Sequence, residues 1–462
     1  MEKMSLIEAV DQLSEYKKML PKDRVQLRKK RLYELVTYAS ANSPLYRDIY
    51  EDLPTNFTIQ NLPSVTKDVL IARFDDWSTD RSVDRQGIQD YLNELSAAFE
   101  SGDKKGSERK YLDKYYVVSS SGTDSEPLIN LYDDNCCRLM SVNHLYRAFS
   151  RREHLWGFLT HGRRLASIYS TSGAYFFNVF AHFRRSYLPF NKKRSIILQS
   201  QSPTSRLVET LNSFGPAVIS GFPSVLTRMA DERIAGRLKV DPVCIIAEGE
   251  VLEDDVRAKI SDAFHCDVTS SYSTAETGVI AYECREHHLH INDDWVILEP
   301  VDANGRPVPA GIESDKVLIT NLLSFPQPII RYELGDKVIL HEEGCLCGNP
   351  SPWIEMAGRS LDQIRFVEGM KEVVVPVADF DAVLRDEPSI KRYQIIVYAG
   401  NRIALRLSGA RGTDKTMAFF KAEKLLRAYM KSIGIMSPMI TLDKEDPGPD
   451  PKSGKYKKII VE

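Results

Sequence analysis

Hydrophobic positions fall into three regimes along the chain. Between residue 1 and about residue 60 they recur at helical spacing, and Leu27, Leu32, Leu35 and Val36 mark one apolar stripe in a strongly charged segment that runs to Tyr50. This predicts a helical lead-in. From about 115 to 350 the pattern becomes short apolar runs, Tyr115-Tyr-Val-Val118, Ala217-Val-Ile-Ser220, Val243-Cys-Ile-Ile-Ala247 and Val317-Leu-Ile-Thr320. These alternate with helix-like stretches such as Leu252 to Phe264, which predicts an α/β fold. After the turn-rich Cys347-Gly-Asn-Pro-Ser-Pro352 and Gly358-Arg-Ser-Leu-Asp362 come further strand-like runs, a helical Lys415 to Ile433 and a polar Asp446-Pro-Gly-Pro-Asp-Pro451 loop. A cut near 358 gives a large domain, 1–357, of mixed sheets and helices, and a small α+β C-terminal domain, 358–462.

At 462 residues the chain can bury a large core without covalent staples. Its net charge of -3 lacks the basic excess of a general nucleic-acid binder. No apolar run is long enough to span a bilayer and no secretory pattern follows Met1, so a cytoplasmic protein is expected. Seven cysteines without a signal peptide point to reduced thiols or metal ligands, not a disulfide framework.

Ser119, Ser120, Ser121, Gly122 and Thr123 follow the strand-like Tyr115 to Val118, so a chain leaving a sheet would offer hydroxyls and backbone N–H groups to an anion. No Gly-Lys-Ser/Thr follows, so this is not a Walker A loop, and the same residues also suit a polar surface turn. Other segments accompany it in order: Glu248-Gly-Glu250, Ser271-Tyr-Ser-Thr-Ala-Glu-Thr-Gly278, Ile329-Ile-Arg-Tyr-Glu-Leu-Gly-Asp336, Gly358-Arg-Ser-Leu-Asp362 and Ser453-Gly-Lys455. Taken together, from about residue 25 to the C-terminus, the chain resembles the adenylate-forming ligase superfamily. Within it the chain is most similar to the phenylacetate-CoA ligase family and its capsule-biosynthesis-like branch. Ser43-Pro-Leu-Tyr46, Leu62-Pro-Ser-Val-Thr-Lys67 and Ser220-Gly-Phe-Pro-Ser224 support the resemblance.

The resemblance implies that Ser119 to Thr123 cradle the phosphates of ATP, while Gly249, Glu250 and Tyr272, with Ser273 and Thr274 beside them, lie along the nucleotide. Glu276 would hold Mg²⁺, Asp336 would accept from the ribose hydroxyls, Arg359 would sit at the domain junction, and Lys455 would bridge the attacking carboxylate and the α-phosphate. The residue types suit those tasks: a hard cation takes oxygen ligands, a carboxylate accepts from two hydroxyls, and a lysine supplies a mobile point charge. Without the resemblance, Lys455 among Lys452, Lys457 and Lys458 reads as a solvated charge, and Gly335-Asp336 as a common turn. The chain departs from the family pattern at Asp124-Ser125-Glu126, where Thr-Gly-Lys is usual, at Ala275 in place of a hydroxyl residue, and at Leu361 in place of an acidic one.

Cys284, His290, Cys345 and Cys347 form a set with the softness and number of a closed zinc site. His287 or His288 are alternatives to His290, and free thiols are the other reading; similar positions in phenylacetate-ligase-like relatives favour structural Zn²⁺. Arg147, Arg151, Arg152, Arg163, Arg164, Arg184, Arg185, Lys192, Lys193 and Arg194 face only Glu153 in their stretch. They form either separate solvated faces or, if they converge, a dock for the phosphates of coenzyme A or an acidic carrier protein. The expected reaction joins a carboxylic acid to ATP as an acyl-adenylate and then transfers the acyl group to coenzyme A or a carrier-protein thiol. An amine acceptor, or nucleotide binding with little chemistry, are the alternatives. Gly221, Phe222, Pro223 and Tyr272 are candidate pocket walls, and a homodimer fits the family branch.

Overall fold

The computed structural model describes residues 5–101, 109–120, 127–149, 151–169, 174, 176–187, 193–200, 202–342, 344–359, 363–369, 371–376, 380, 383–384, 387–410, 412–451 and 456–461. They divide into two compact units. The first comprises Met1–Leu334, Val338–Met356 and Lys452–Gly454, and the second Gly335–Lys337, Ala357–Pro451 and Lys455–Glu462.

In the first unit the lead-in is helical as expected, over Leu6–Lys18, Pro21–Asn42 and Pro44–Ile49. Leu32, Leu35 and Val36 are buried, and they join one core with residues from the strands described below. Tyr46 and Trp77 donate to one carbonyl, that of Pro328, at 2.8 and 2.7 Å. Two further sequence segments meet here, because Val65 pairs with Tyr332 and Ser64 donates to Glu333 at 2.8 Å. The lead-in therefore buttresses the segment that ends in Gly335-Asp336.

Strands β1 (Tyr116–Ser119) and β2 (Ile129–Tyr132) form an antiparallel pair. β3 (Leu165–Tyr169), β4 (Ser195–Gln199), β5 (Val218–Gly221), β6 (Cys244–Glu248) and β7 (Asp267–Thr274) pair in parallel. The continuous apolar runs at β5 and β6 follow from this, since a strand covered on both faces needs no polar alternation. Helices Thr204–Phe214, Pro223–Ile234 and Asp254–Phe264 supply cover, with Leu211, Leu226 and Ile260 fully buried beside Ile245. β8 (Gly278–Glu283) and β9 (Leu289–Ile291) add antiparallel strands. β10 (Val296–Val301), β11 (Lys316–Asn321) and β12 (Ile329–Leu334) make a separate three-stranded antiparallel sheet. With β13 (Asp336–His341) and β14 (Trp353–Arg359), the large sheet has nine strands in the order β13-β14-β9-β8-β7-β6-β5-β3-β4.

The second unit holds an antiparallel pair, β15 (Gln363–Glu368) and β16 (Lys371–Pro376), and a four-stranded sheet. That sheet has the order β19-β18-β17-β20, from β17 (Ile390–Tyr398), β18 (Arg402–Gly409), β19 (Met439–Leu442) and β20 (Ile459–Val461). Helix Lys415–Ser432 buries Ala422, Leu426 and Met430 against it. This is the mixed α/β architecture expected from the sequence.

Candidate functional site

β1 and β2 end at the hydroxyl-rich loop. Ser121, Gly122 and Thr123 lie outside the described residues. Ser119 and Ser120 form its neck, and their N–H groups are already engaged: Ser119 donates to Ala174 O at 2.7 Å and Ser120 to Leu128 O at 2.9 Å. Leu128 N–H donates back to Ser120 Oγ at 2.9 Å. Any anion cradle formed by backbone N–H groups must therefore use residues beyond Ser120.

The neck is tied to a second predicted segment. Tyr132, on β2, donates to Ala275 O at 2.6 Å, and Val118 and Tyr132 share a core cluster with Ala275 and Val279. Ala275, Glu276 and Thr277 form the turn between β7 and β8, with the Thr274 and Thr277 hydroxyls 2.8 Å apart. Glu276 is buried, and its charge adds to burial in pushing up the Tyr132 and Tyr332 phenols. The β7–β8 register shifts between Tyr272 and Ser273, which leaves Ile280 of β8 as the extra residue just after this turn. Ser273 Oγ is buried without a hydrogen-bond partner among the described residues. Gly278 closes the turn with φ +71, a backbone that strains any residue with a Cβ, and a Cβ there would also displace the Met140 Cε tip, 1.7 Å away.

One strand over, Gly249 follows β6 with φ +81, and a Cβ there would meet Phe177 and Phe222 ring carbons at 2.8 Å. The Glu250 carboxylate accepts from Ser224 N and Oγ at 2.9 and 3.0 Å. It thus holds the start of helix Pro223–Ile234, and Gly221, Phe222 and Pro223 lead into that start. Gly249, Glu250, Tyr272 and Glu276 all stand at or just beyond the carboxyl ends of neighbouring strands, the usual position for ligands in open α/β sheets.

Asp336 is buried at the start of β13 and groups with the second unit. The backbone of Arg359 is the last residue of β14, and Lys455 lies outside the described residues.

Cys284, His290, Cys345 and Cys347 place one ligand atom each within 4.8 Å of one another. His290 Nδ1 donates to Ser351 O at 2.7 Å, which leaves Nε2 unprotonated toward Cys347 Sγ, 3.4 Å away. This is the usual way a second contact orients a ligating imidazole. Cys345 and Cys347 sulfurs accept N–H bonds from Cys347 and Asn349 at 3.4 and 3.3 Å. Burial pushes the Cys284 thiol up to about 12, so it becomes a thiolate only beside a positive charge. Of the alternative histidines, His288 stacks on Trp353 at 3.8 Å with Nδ1 3.3 Å from Cys345 Sγ. His287 turns instead to Glu283, 3.5 Å away.

Among the described residues, members of the basic stretch are tied to different parts of the fold. Arg147 pairs with buried Asp294 at 2.7 Å, Arg151 with Asp267 at 3.1 Å, and Arg164 donates to Gly215 O at 2.7 Å. Arg184 is buried. Lys192 lies outside the described residues.

Sequence reasoning missed a buried polar cluster. Glu248 ends the apolar run of β6, and its carboxylate accepts from Tyr169 on β3 and, at 3.0 Å, from Ser271 on β7. Tyr169 OH is 2.9 Å from Ser220 Oγ, and His144 Nδ1 lies 3.2 Å from Tyr282 OH and 3.6 Å from Glu248. The signal was present: a carboxylate ending a strand that is apolar on both faces must find partners inside.

No family model matches the chain. Protein CapK of Staphylococcus aureus is 24% identical over 176 residues, which are 34% of this chain and 38% of that protein. The crystal structure of 2-hydroxyisobutyryl-CoA ligase in the postadenylation state, bound to an acyl-AMP, has a TM-score of 0.66 at 18% identity, covering 97% of this chain and 91% of that one. The same ligase in its thioesterification state, with CoA, gives a TM-score of 0.56 over the same shares. Among the described residues no helix is long and apolar enough to cross a membrane. Strand order, paired units and these likenesses together give the chain the fold of the adenylate-forming ligases.

Proposed function

We propose that the protein activates a carboxylic acid with ATP and passes the acyl group to a thiol, that of coenzyme A or a carrier-protein pantetheine. A carboxylate oxygen attacks the α-phosphorus, the bond to the β-phosphate breaks, and pyrophosphate leaves. A thiolate sulfur then attacks the acyl carbon, and AMP departs with the bonding electrons.

The observation that carries this reading is the joining of the loop neck to the Glu276 turn through Tyr132 and Ala275. It ties the turn that carries buried Glu276 to the strand pair from which Ser119 and Ser120 emerge, and so supports pairing a carboxylate with a hydroxyl-rich segment, as a Mg²⁺-bound polyphosphate needs. Glu276 would take the Mg²⁺, Gly249, Glu250 and Tyr272 would flank the base, and Asp336 would take the ribose hydroxyls. Arg359 and Lys455 are assigned by resemblance, with Lys455 offsetting charge at the attacked phosphate. The four-ligand Cys/His set fits structural zinc, because three thiolates and one oriented imidazole leave no open position for chemistry. Cys284, His290, Cys345 and Cys347 would hold that ion, whose contribution is stability.

Incubation of the protein with Mg·ATP and pools of carboxylic acids, with hydroxylamine trapping of adenylates and measurement of pyrophosphate, tests the proposal. Release that depends on one pool, and on Lys455, is expected. Coenzyme A consumption then separates a thiol from an amine acceptor. ATP binding without pyrophosphate from any pool would refute adenylation of those acids.

A further inference from the structure

Beneath the strand ends lies a cavity of about 20 Å³. Phe176, Phe177 and Phe180 from one helix line it, and Ser141, His144, Arg184 and Glu248 supply its polar groups. We propose that this cavity is the distal end of the acyl subsite and receives the hydroxyl of an otherwise apolar, hydroxylated carboxylic acid. The inference rests on the adenylation reading above and names its substrate class.

Four observations converge on it. Glu248 is the last residue of β6, so the cavity adjoins the carboxyl end of a parallel strand, one residue before Gly249 in the chain. Its wall is aromatic with a few convergent polar groups, the usual make-up of a small-molecule pocket. Its volume admits roughly one water-sized group, and a hydroxyl is that size. Its charges are opposed: Glu248 and Arg184 line the same space, so a terminal ammonium or carboxylate meets one like charge that offsets the attraction of the other and still loses its hydration.

A neutral hydroxyl escapes both penalties. It can donate to Glu248, whose two oxygens each accept one bond, from Tyr169 and Ser271, and each retain a second lone pair. Burial pushes the His144 ring well below the usual histidine range, with the Arg184 charge adding to the effect, so that ring brings no charge of its own. Burial likewise raises Glu248, while Arg184 and the two hydroxyl donors pull it back toward the carboxylate.

The test compares matched acids on the purified protein with Mg·ATP: an apolar acid and its terminally hydroxylated, aminated and carboxylated analogues, read as kcat/KM for pyrophosphate release. The hydroxy acid is expected to exceed its unsubstituted analogue by at least about tenfold, since a site built to bond a hydroxyl penalises its absence. In E248Q that ratio should fall by about tenfold. F180Y, which carries a hydroxyl into the cavity from its wall, should lower the ratio too and stands in if E248Q does not fold. Preference for the unsubstituted or a charged acid, or a hydroxyl preference that both variants leave intact, overturns the proposal while adenylation stands. If no acid releases pyrophosphate, adenylation falls, and calorimetric titration of the same acids in the presence of AMP decides the cavity. Tenfold tighter binding of the hydroxy acid that E248Q abolishes upholds it, and equal or absent binding overturns it.

Discussion

Arg331 is the side chain on which the strand leading to Gly335-Asp336 depends. It sits at φ +46, a left-handed backbone that a residue other than glycine adopts only when its surroundings hold it there. Its guanidinium bonds Glu299 at 3.1 and 3.2 Å and the Leu62 carbonyl, and the two charged side chains are only 9% and 13% exposed. Arg331→Met strands the Glu299 carboxylate, and breaking a buried pair from one side costs about 3–5 kcal/mol. Burial already raises Glu299 and Arg331 lowers it, so the variant loses the lowering influence and the folded-state pKa climbs further. A folded carboxyl with a raised pKa keeps a proton that the unfolded chain has released. Stability then falls as pH rises from about 4.3, the unfolded value, to the folded pKa, and is flat beyond it. The deficit of Arg331→Met against the parent should thus be smaller at pH 5 than at pH 8. Adding Glu299→Gln removes the stranded charge and should recover most of the loss. Urea unfolding followed by tryptophan fluorescence reads this directly, because Trp77 bonds Pro328 just ahead of the strand. A loss below about 1 kcal/mol, against the ~3–5 expected, a double variant no more stable than the single, or a larger deficit at pH 5 refutes the reasoning.

Metal analysis of the purified chain should find zinc, and Cys345→Ser or Cys347→Ser should lose it and lower Tm; full metal content in both variants would remove those ligands from the site. Gly249→Ala should cost about 2–4 kcal/mol, combining left-handed strain with overpacking against Phe177 and Phe222. Gly305→Ala, at φ +79 with open space around it, should cost only the strain, about 1–2 kcal/mol, so equal costs in denaturant unfolding would contradict the steric argument. Lys455→Ala should abolish pyrophosphate release yet spare thioester formation from a supplied adenylate, and equal loss in both assays would sink its assignment.

The elements most legible in the sequence were those whose pattern reports burial. The runs at 217–220 and 243–247 became β5 and β6 because strands covered on both faces must be apolar throughout. The sequence named Cys284, His290, Cys345 and Cys347 with His287, His288 and free thiols left open, and the structure brings those four together, the Ser351 carbonyl orienting the His290 ring. What remained hidden is long-range pairing. Nothing local in Arg147 announces Asp294 as its partner, and this is why a basic stretch in sequence became scattered ion pairs and buried wall in space. Glu250 read as a nucleotide contact and is also a cap for Ser224, a role set by a helix start that lies far back in the chain.

The thiol and imidazole cluster sits at a short junction within the nine-stranded sheet. β14 meets β9 through a short register, Trp353 opposite His290 and Ile354 opposite Leu289. The connection carrying Cys345 and Cys347 leads into β14, while Cys284 and His290 bracket the entry to β9. An ion held by all four would fasten β14, and with it the outer strand β13, across a junction of two residue pairs. Stripping the ion would let β14 and β13 peel together and uncover the N–H and C=O groups of β9, an open template for other chains. The damage done by chelation would then be read first as self-association, with light scattering rising while the interior of the sheet is still folded.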